Sequence, residues 1–220
     1  MNLREEIFAN QDLKYREFHK KLIPTVSEDK FVGVRVPVLR RIAKQALREN
    51  AENKCELYEE IMVYGFTIGL KKCSLEEHIE DLKTFVPLID NWAVCDCCCS
   101  SFKFCKTYQA QLYDFIKSYL TKGEYEQRFA IVMLMDYYME DAYIDEIVTI
   151  LKNIKSDRYY VNMAAAWALS VAFVRYQDRV LPVLESKTLC REVQNMTIRK
   201  IKDSFRVDRS VKKTLSDYVI

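Results

Sequence analysis

The sequence contains little glycine and little proline, four residues of each among 220. Sandwiches and barrels connect many short strands through turns that need these residues, so their scarcity argues against an all-β fold. Half of the residues are hydrophobic and 30% are charged, a composition typical of a globular chain that can bury a sizeable core. We therefore expect a helical protein.

The chain also lacks long hydrophobic runs and an export signal. Residues 1–18 have charges scattered through them and no continuous apolar core, unlike a signal peptide or a membrane anchor. The most apolar segments, Phe129–Met135 and Val161–Val174, are shorter than the about 20 residues that span a bilayer. They predict helices packed on both sides. We expect a cytoplasmic protein without membrane contact.

Histidine is scarce, with two residues against eight cysteines. In a chain without an export signal we expect reduced thiols, and the run Cys95, Cys97, Cys98 and Cys99 is too crowded for an ordinary disulfide framework. No histidine lies near this run, which argues against a zinc site or a catalytic thiol there. Glycine-rich phosphate loops and metalloprotease motifs are also missing. We predict buried, unreactive thiols and no metal.

The net charge excludes few classes of function, because the 34 basic residues nearly balance the 32 acidic ones. A contact with nucleic acid must therefore come from local clusters. One basic stripe lies on the amphipathic helix predicted for residues 37–49, and the C-terminal segment after Lys187 is also rich in lysine and arginine. The candidate phosphate contacts are Arg35, Arg40, Arg41, Lys44, Arg199, Lys202 and Arg206.

Helical periodicity extends along most of the chain. After the helix at 37–49, apolar residues recur at helical spacing from Leu57 to Ile68, and Ser74 with Glu77 forms a capping box for the next helix. Further helices are predicted at 91–105, 108–121, 123–140, 142–154, 157–175, 177–186, 188–205 and 208–219. Successive antiparallel helices favour either a closed bundle or a superhelical α-α solenoid of the ARM/HEAT type.

Four residues recur at close to a repeat interval in these helices. Trp92 and Asp96 lie one turn apart; Arg128 follows Trp92 by 36 residues and Trp167 follows Arg128 by 39, just under the HEAT period of about 40–47. In a solenoid they would share a concave face, where indoles and a carboxylate suit a cationic substrate and Arg128 suits a phosphate. The alternative interpretation is two core tryptophans and a surface ion pair between Arg128 and Glu124.

Five segments together resemble the AlkD-like DNA alkylation repair family. They are GVRVPVLRRIAK (33–44), NWAVCD (91–96), EQRFAIVML (126–134), VNMAAAWAL (161–169) and QNMTIRKIKDSFRV (194–207). The resemblance implies one HEAT-like repeat domain over residues 1–220, with a basic groove for duplex DNA. It also implies that Trp92, Asp96, Arg128 and Trp167 form the active cleft of a monofunctional glycosylase that excises cationic N3- or N7-alkylated purines.

The resemblance further implies a reaction without metal or cofactor, without deep base flipping, in which Asp96 stabilises the sugar cation. Around Trp167 the chain departs from the family, with Asn162, Met163 and Ser170 at places where basic residues are common. Without basic side chains at these places, binding to DNA phosphates would be weaker. We expect a monomer.

Two other functions stay open at this stage. The first is a non-catalytic helical-repeat module that binds structured DNA or a protein partner in the same groove. The second is a scaffold for protein interactions in which both tryptophans belong to the core.

Overall fold

The computed structural model describes residues 1–220 and is entirely helical, with thirteen α-helices and no strand. The predicted all-α class is confirmed. The chain divides into two compact units, an N-terminal unit of residues Met1–Leu112 and a C-terminal unit of residues Tyr113–Ile220. Each unit has its own buried hydrophobic side chains.

The N-terminal unit contains six complete helices and the start of a seventh. They are α1 (Leu3–Ala9), α2 (Leu13–Lys20), α3 (Val36–Arg48), α4 (Tyr58–Leu70), α5 (Leu75–Phe85), α6 (Trp92–Cys99) and α7 (Gln109–Lys117), the last of which contains the boundary between the units. Pro37 lies in the first turn of α3, and Ser74 and Glu77 form the predicted capping box of α5.

Helix α4 is the centre of this unit and packs against α1, α3, α5 and α6. The contact with α6 is close because α4 carries glycines on that side: a Cβ at Gly65 would lie 2.8 Å from the Cβ of Cys98, and one at Gly69 would lie 2.6 Å from the carbonyl oxygen of Ser101. Small side chains on both helices therefore permit the approach. Cysteine serves here as a small apolar residue.

The C-terminal unit contains the other six helices. They are α8 (Glu124–Tyr137), α9 (Ile144–Lys152), α10 (Tyr159–Arg175), α11 (Gln177–Glu185), α12 (Arg191–Asp203) and α13 (Arg209–Thr214). Helix α10 packs against α8, α9, α11 and α12. Every side chain from Phe129 to Met135 is buried, as predicted. Helix α10 differs from its prediction, because one stripe of its apolar residues stays accessible.

Two short helices near the N-terminus, α1 and α2, were not predicted. Leu13 and Phe18 of α2 are 64% and 61% exposed, so its apolar residues do not mark a buried face. The segment predicted as a helix at 91–105 ends at Cys99, where the hydroxyls of Ser100 and Ser101 donate to the carbonyl oxygens of Cys97 and Cys98. These bonds satisfy the last turn of α6.

None of the helices combines the length and the hydropathy that crossing a bilayer requires. The eight cysteines are free thiols. Cys95, Cys98 and Cys99 are fully buried, as the sequence predicted, whereas Cys97 of the same run is half-buried.

Candidate functional site

Helix α6 carries the first pair of predicted site residues, and its first turn is firmly held. The Asn91 side chain accepts a hydrogen bond from the backbone N–H of Val94 at 2.9 Å and so caps the start of the helix. The indole N–H of Trp92 donates to the carbonyl oxygen of Leu22 at 2.8 Å. Both contacts fix where α6 begins and how the Trp92 ring is oriented.

The accessible side of α6 is a single stripe. Trp92, Asp96, Cys97 and Ser100 are half-buried, while every other side chain of the helix is buried. Trp92 and Asp96 are therefore neighbours on one face, as their spacing predicted. The alternative interpretation, in which Trp92 is an ordinary core residue, does not fit its half-buried position on this face. Burial, and then the charge of Asp96, raise the pKa of the Cys97 thiol.

An aromatic cluster lies beside Trp92 that the sequence did not reveal. The ring of His19 is 6.4 Å from that of Trp92 and stacks on Tyr15 at 5.0 Å, and its Nε2 lies 3.2 Å from the Tyr58 hydroxyl. His19 is 7% exposed, and burial lowers its pKa. The cluster depends on α2, which lacks a periodic pattern. The one local signal for this helix is Asp12, whose side chain accepts from the Tyr15 N–H and caps its start.

The basic residues of α3 point in different directions. Arg41 faces α1, where it contacts Asn10 at 3.0 Å and Glu6 at 3.5 Å. Arg35, just before the helix, forms an ion pair with Asp12 at 2.8 Å and lies over the Tyr15 ring at 5.0 Å. The candidate contacts in this region therefore do not form one continuous patch.

Arg40 and Lys44 share a pocket with residues from α4 and from the end of α6. Arg40 donates to the Cys97 carbonyl oxygen at 3.1 Å and lies 4.2 Å from the centre of the Phe66 ring. This cationic pocket has a volume of about 330 Å³. It is lined by Arg40, Lys44, Phe66, Gly69, Leu70, Ser100, Ser101 and Lys103. Three cationic side chains around one pocket suit a phosphate group.

In the C-terminal unit, Arg128 is buried, with 4% exposure. Its guanidinium donates to the Tyr160 carbonyl oxygen at 2.9 Å, while Glu124 accepts from the Tyr160 N–H at 3.1 Å. Arg128 and Glu124, one turn apart on α8, thus both form hydrogen bonds with the backbone of Tyr160 in the first turn of α10. The interpretation of Arg128 as half of a surface ion pair does not fit an exposure of only 4%. Its contact with phosphate stays a prediction.

Trp167 is half-buried on α10, within the accessible stripe formed by Met163, Trp167, Val171 and Val174. Asn162 and Ser170 are not part of this stripe. Both are buried, and they donate to the carbonyl oxygens of Ser156 and Trp167. Their lack of charge therefore follows from burial, and only Met163 stands where a basic side chain could reach solvent.

The Trp167 pocket is a cavity of about 560 Å³ in the C-terminal unit, with Met139, Val171 and Val174 beside the indole. Arg175, Lys200 and Arg206 also line it, against a single acidic residue, Asp203. Of the three C-terminal candidates only Arg206 is in this pocket. Arg199 is exposed elsewhere, and Lys202 donates to the Ser216 hydroxyl at 2.6 Å. Sequence reasoning missed Arg175, and it included Lys200 only as one of the basic residues of the C-terminal segment.

Comparison with known families matches residues 2–206 to the family described as DNA alkylation repair enzyme. The match covers nearly the whole chain and includes both tryptophan sites. This helical protein therefore belongs to the DNA alkylation repair enzyme family, as its sequence segments indicated. No curated protein matches the chain.

Proposed function

We propose that the protein is a DNA glycosylase of base excision repair that removes cationic N3- or N7-alkylated purines from duplex DNA. Membership of the DNA alkylation repair enzyme family supports the substrate class. The observation that carries the proposal is the stripe on α6, where Trp92 and Asp96 are accessible together with Cys97 and Ser100 while the other side chains of the helix are buried. An indole beside a carboxylate suits a site that develops positive charge.

In the proposed reaction, the bond between C1′ of the deoxyribose and the purine nitrogen breaks, and both electrons stay with the base. An alkylated purine that was cationic thereby leaves as a neutral molecule, and the positive charge moves to the sugar. Asp96 stabilises this oxocarbenium-like cation and orients a water molecule, which adds to C1′ and loses its proton to the carboxylate. Trp92 and Trp167 line the deoxyribose.

Phosphate contacts are assigned to the basic pockets. The proposed anchors for the DNA backbone are Arg40 and Lys44 in the cationic pocket, and Arg206, Lys200 and Arg175 in the Trp167 pocket. Arg128 is proposed to combine its hold on α10 with a phosphate contact. We assign peripheral contacts with the DNA backbone to Arg35, Arg41, Arg199 and Lys202.

The proposed architecture is one HEAT-like solenoid over residues 1–220. The site residues Trp92, Arg128 and Trp167 follow one another along the chain at close to one repeat. The near-repeat spacing of these residues and the all-helical fold support this architecture.

Release of 7-methylguanine and 3-methyladenine from alkylated duplex DNA tests the proposal, with DNA affinity measured on the same preparation. We expect time-dependent release of free base by the native protein. Binding to DNA without any release would instead assign the chain to a non-catalytic DNA-binding module. Absence of both would leave a scaffold for protein interactions, and the glycosylase proposal would fail.

A further inference from the structure

A second group of chemically reactive side chains lies around the start of α5. Cys73 directly precedes the capping residue Ser74, and His78 and Asp81 lie one turn apart on the helix. The thiol, one imidazole nitrogen and one carboxylate oxygen of these three residues all lie within 4.8 Å of one another. The proposed glycosylase reaction uses none of them.

His78 is the residue that most needs an explanation. Its side chain is 2% exposed, and its buried Nδ1 has no hydrogen-bond partner. The ring stacks on Phe104 with centroids 3.7 Å apart and planes 7° from parallel, which fixes its orientation. Buried polar atoms are normally satisfied, so the unpartnered Nδ1 indicates a missing partner. The same ring places one of its nitrogens within 4.8 Å of the Cys73 thiol and an Asp81 carboxylate oxygen.

We propose that Cys73, His78 and Asp81 form a binding site for one zinc-class divalent ion. A thiolate, an imidazole and a carboxylate are the donors that such an ion accepts, whereas magnesium and calcium prefer oxygen ligands alone. Three protein ligands leave the fourth position to water. Cys73 and Asp81 are half-exposed, so the ion reaches the site from solvent.

The geometry requires a modest adjustment. Bonds of about 2.0–2.3 Å to zinc bring tetrahedral ligand atoms to roughly 3.3–3.8 Å from one another, so a spread of up to 4.8 Å must contract by about 1 Å. Cys73 can supply this movement because it lies before the helix and not within it. His78 and Asp81 keep the spacing of α5.

The ammonium group of Lys71 competes with the ion for the Asp81 carboxylate. This group lies 2.9 Å from Oδ2 of Asp81. An ion bound through Oδ1 would leave this pair in place but would meet its positive charge. Binding also releases the thiol proton of Cys73, so the thiolate and the carboxylate together neutralise the divalent ion. The affinity should therefore rise with pH and rise again when the Lys71 charge is removed.

The test uses the full-length, metal-free protein titrated with cobalt(II), a spectroscopic substitute for zinc. We expect one ion per chain with a thiolate-to-cobalt charge-transfer band, and loss of that band when zinc is added. Cys73→Ser should abolish the band and weaken binding about tenfold or more, and Asp81→Asn should weaken it similarly. Lys71→Gln should tighten it.

Cys190→Ser is the matched control, because Cys190 is also a half-exposed free thiol but lies outside the cluster. It should leave the titration unchanged, and circular dichroism should show that every variant is folded. Absence of a charge-transfer band in the native protein, or a band that persists in Cys73→Ser, would overturn the proposal. Base release by the metal-free protein is a separate readout and is expected to be unaffected.

Discussion

Asp96 occupies a boundary within its helix, with buried cysteines on one side and an accessible stripe on the other. At the residue scale the sequence identified this position by its spacing of one turn from Trp92 and by the family resemblance. An acidic residue in an apolar, cysteine-rich stretch is also costly unless it has partners or lines a cleft. The same reasoning could not find Arg175, and it could not separate Lys200 from the other basic residues of the C-terminal segment. Basic residues are common on helix surfaces, and only the packing of α10 and α12 shows which of them reach Trp167.

Thiol reactivity is a first prediction at this scale. Cys95, Cys98 and Cys99 are fully buried, and burial together with the nearby Asp96 raises the pKa of the half-buried Cys97. Because the thiolate is the reactive form, iodoacetamide should label Cys190 in the folded protein while sparing the run from Cys95 to Cys99. Mass-spectrometric mapping measures this.

The same labelling in denaturant is the control, in which all eight cysteines should react. Rapid modification of Cys95 or Cys99 in the folded protein would contradict the buried positions of these side chains.

His19 supplies a second prediction, on acid stability. Burial lowers its pKa in the folded protein, whereas the unfolded chain binds the proton near the ordinary value of 6.5. Below that value the unfolded state therefore takes up more protons, and the free energy of unfolding falls as the pH falls. Urea unfolding at a series of pH values should show a shallower acid decline in His19→Gln than in the native protein. If the free energy of unfolding falls equally in the two proteins, His19 does not contribute to the acid dependence of stability.

At the scale of elements, periodicity predicted the long helices well, because α3, α4, α8 and α10 each bury a regular set of apolar residues. The two short helices α1 and α2 escaped prediction because they carry no extended periodic pattern, although the capping side chains Asn2 and Asp12 mark where they begin. Their packing depends on contacts distant in sequence, since Arg16 of α2 donates to the Phe31 carbonyl oxygen at 3.0 Å. The end of α6 was likewise missed, since hydroxyl bonds from Ser100 and Ser101 carry no periodic signal.

The close packing of α4 on α6 gives a prediction for this scale. Gly65→Ala would place a methyl group against Cys98 and 2.8 Å from the Phe85 ring, so we expect a loss of about 1–3 kcal/mol in the free energy of unfolding. Chemical denaturation measures the loss.

Gly123→Ala is the control for Gly65→Ala. A Cβ at Gly123 would meet only the flexible end of Glu126, and the effect should be small. Equal effects at the two positions would contradict the tight contact between α4 and α6.

At the scale of the whole molecule, a formal charge of +2 predicts no general attraction to DNA, so binding must come from clusters. The double variant Arg40→Gln/Lys44→Gln should weaken DNA binding and flatten its salt dependence. If each side chain neutralises one phosphate, the slope of log affinity against log salt should fall by about 1.8. Fluorescence anisotropy over a range of salt concentrations gives the slope.

Arg41→Gln/Arg48→Gln changes the same charge on the same helix but outside the cationic pocket, so its slope should stay closer to that of the native protein. Equal slopes for the two double variants would contradict the proposal that the cationic pocket binds a DNA phosphate.

The most direct test of the central claim is the single-turnover rate of 7-methylguanine release by Asp96→Asn, with duplex affinity measured in parallel. The substitution keeps the size of the side chain and removes its charge, so we predict a rate at least about 100-fold lower at unchanged affinity. Asp114→Asn, at a carboxylate that is 91% exposed, is the control and should behave as the native protein does. Release by Asp96→Asn at the native rate would contradict the assignment of Asp96 as the catalytic carboxylate.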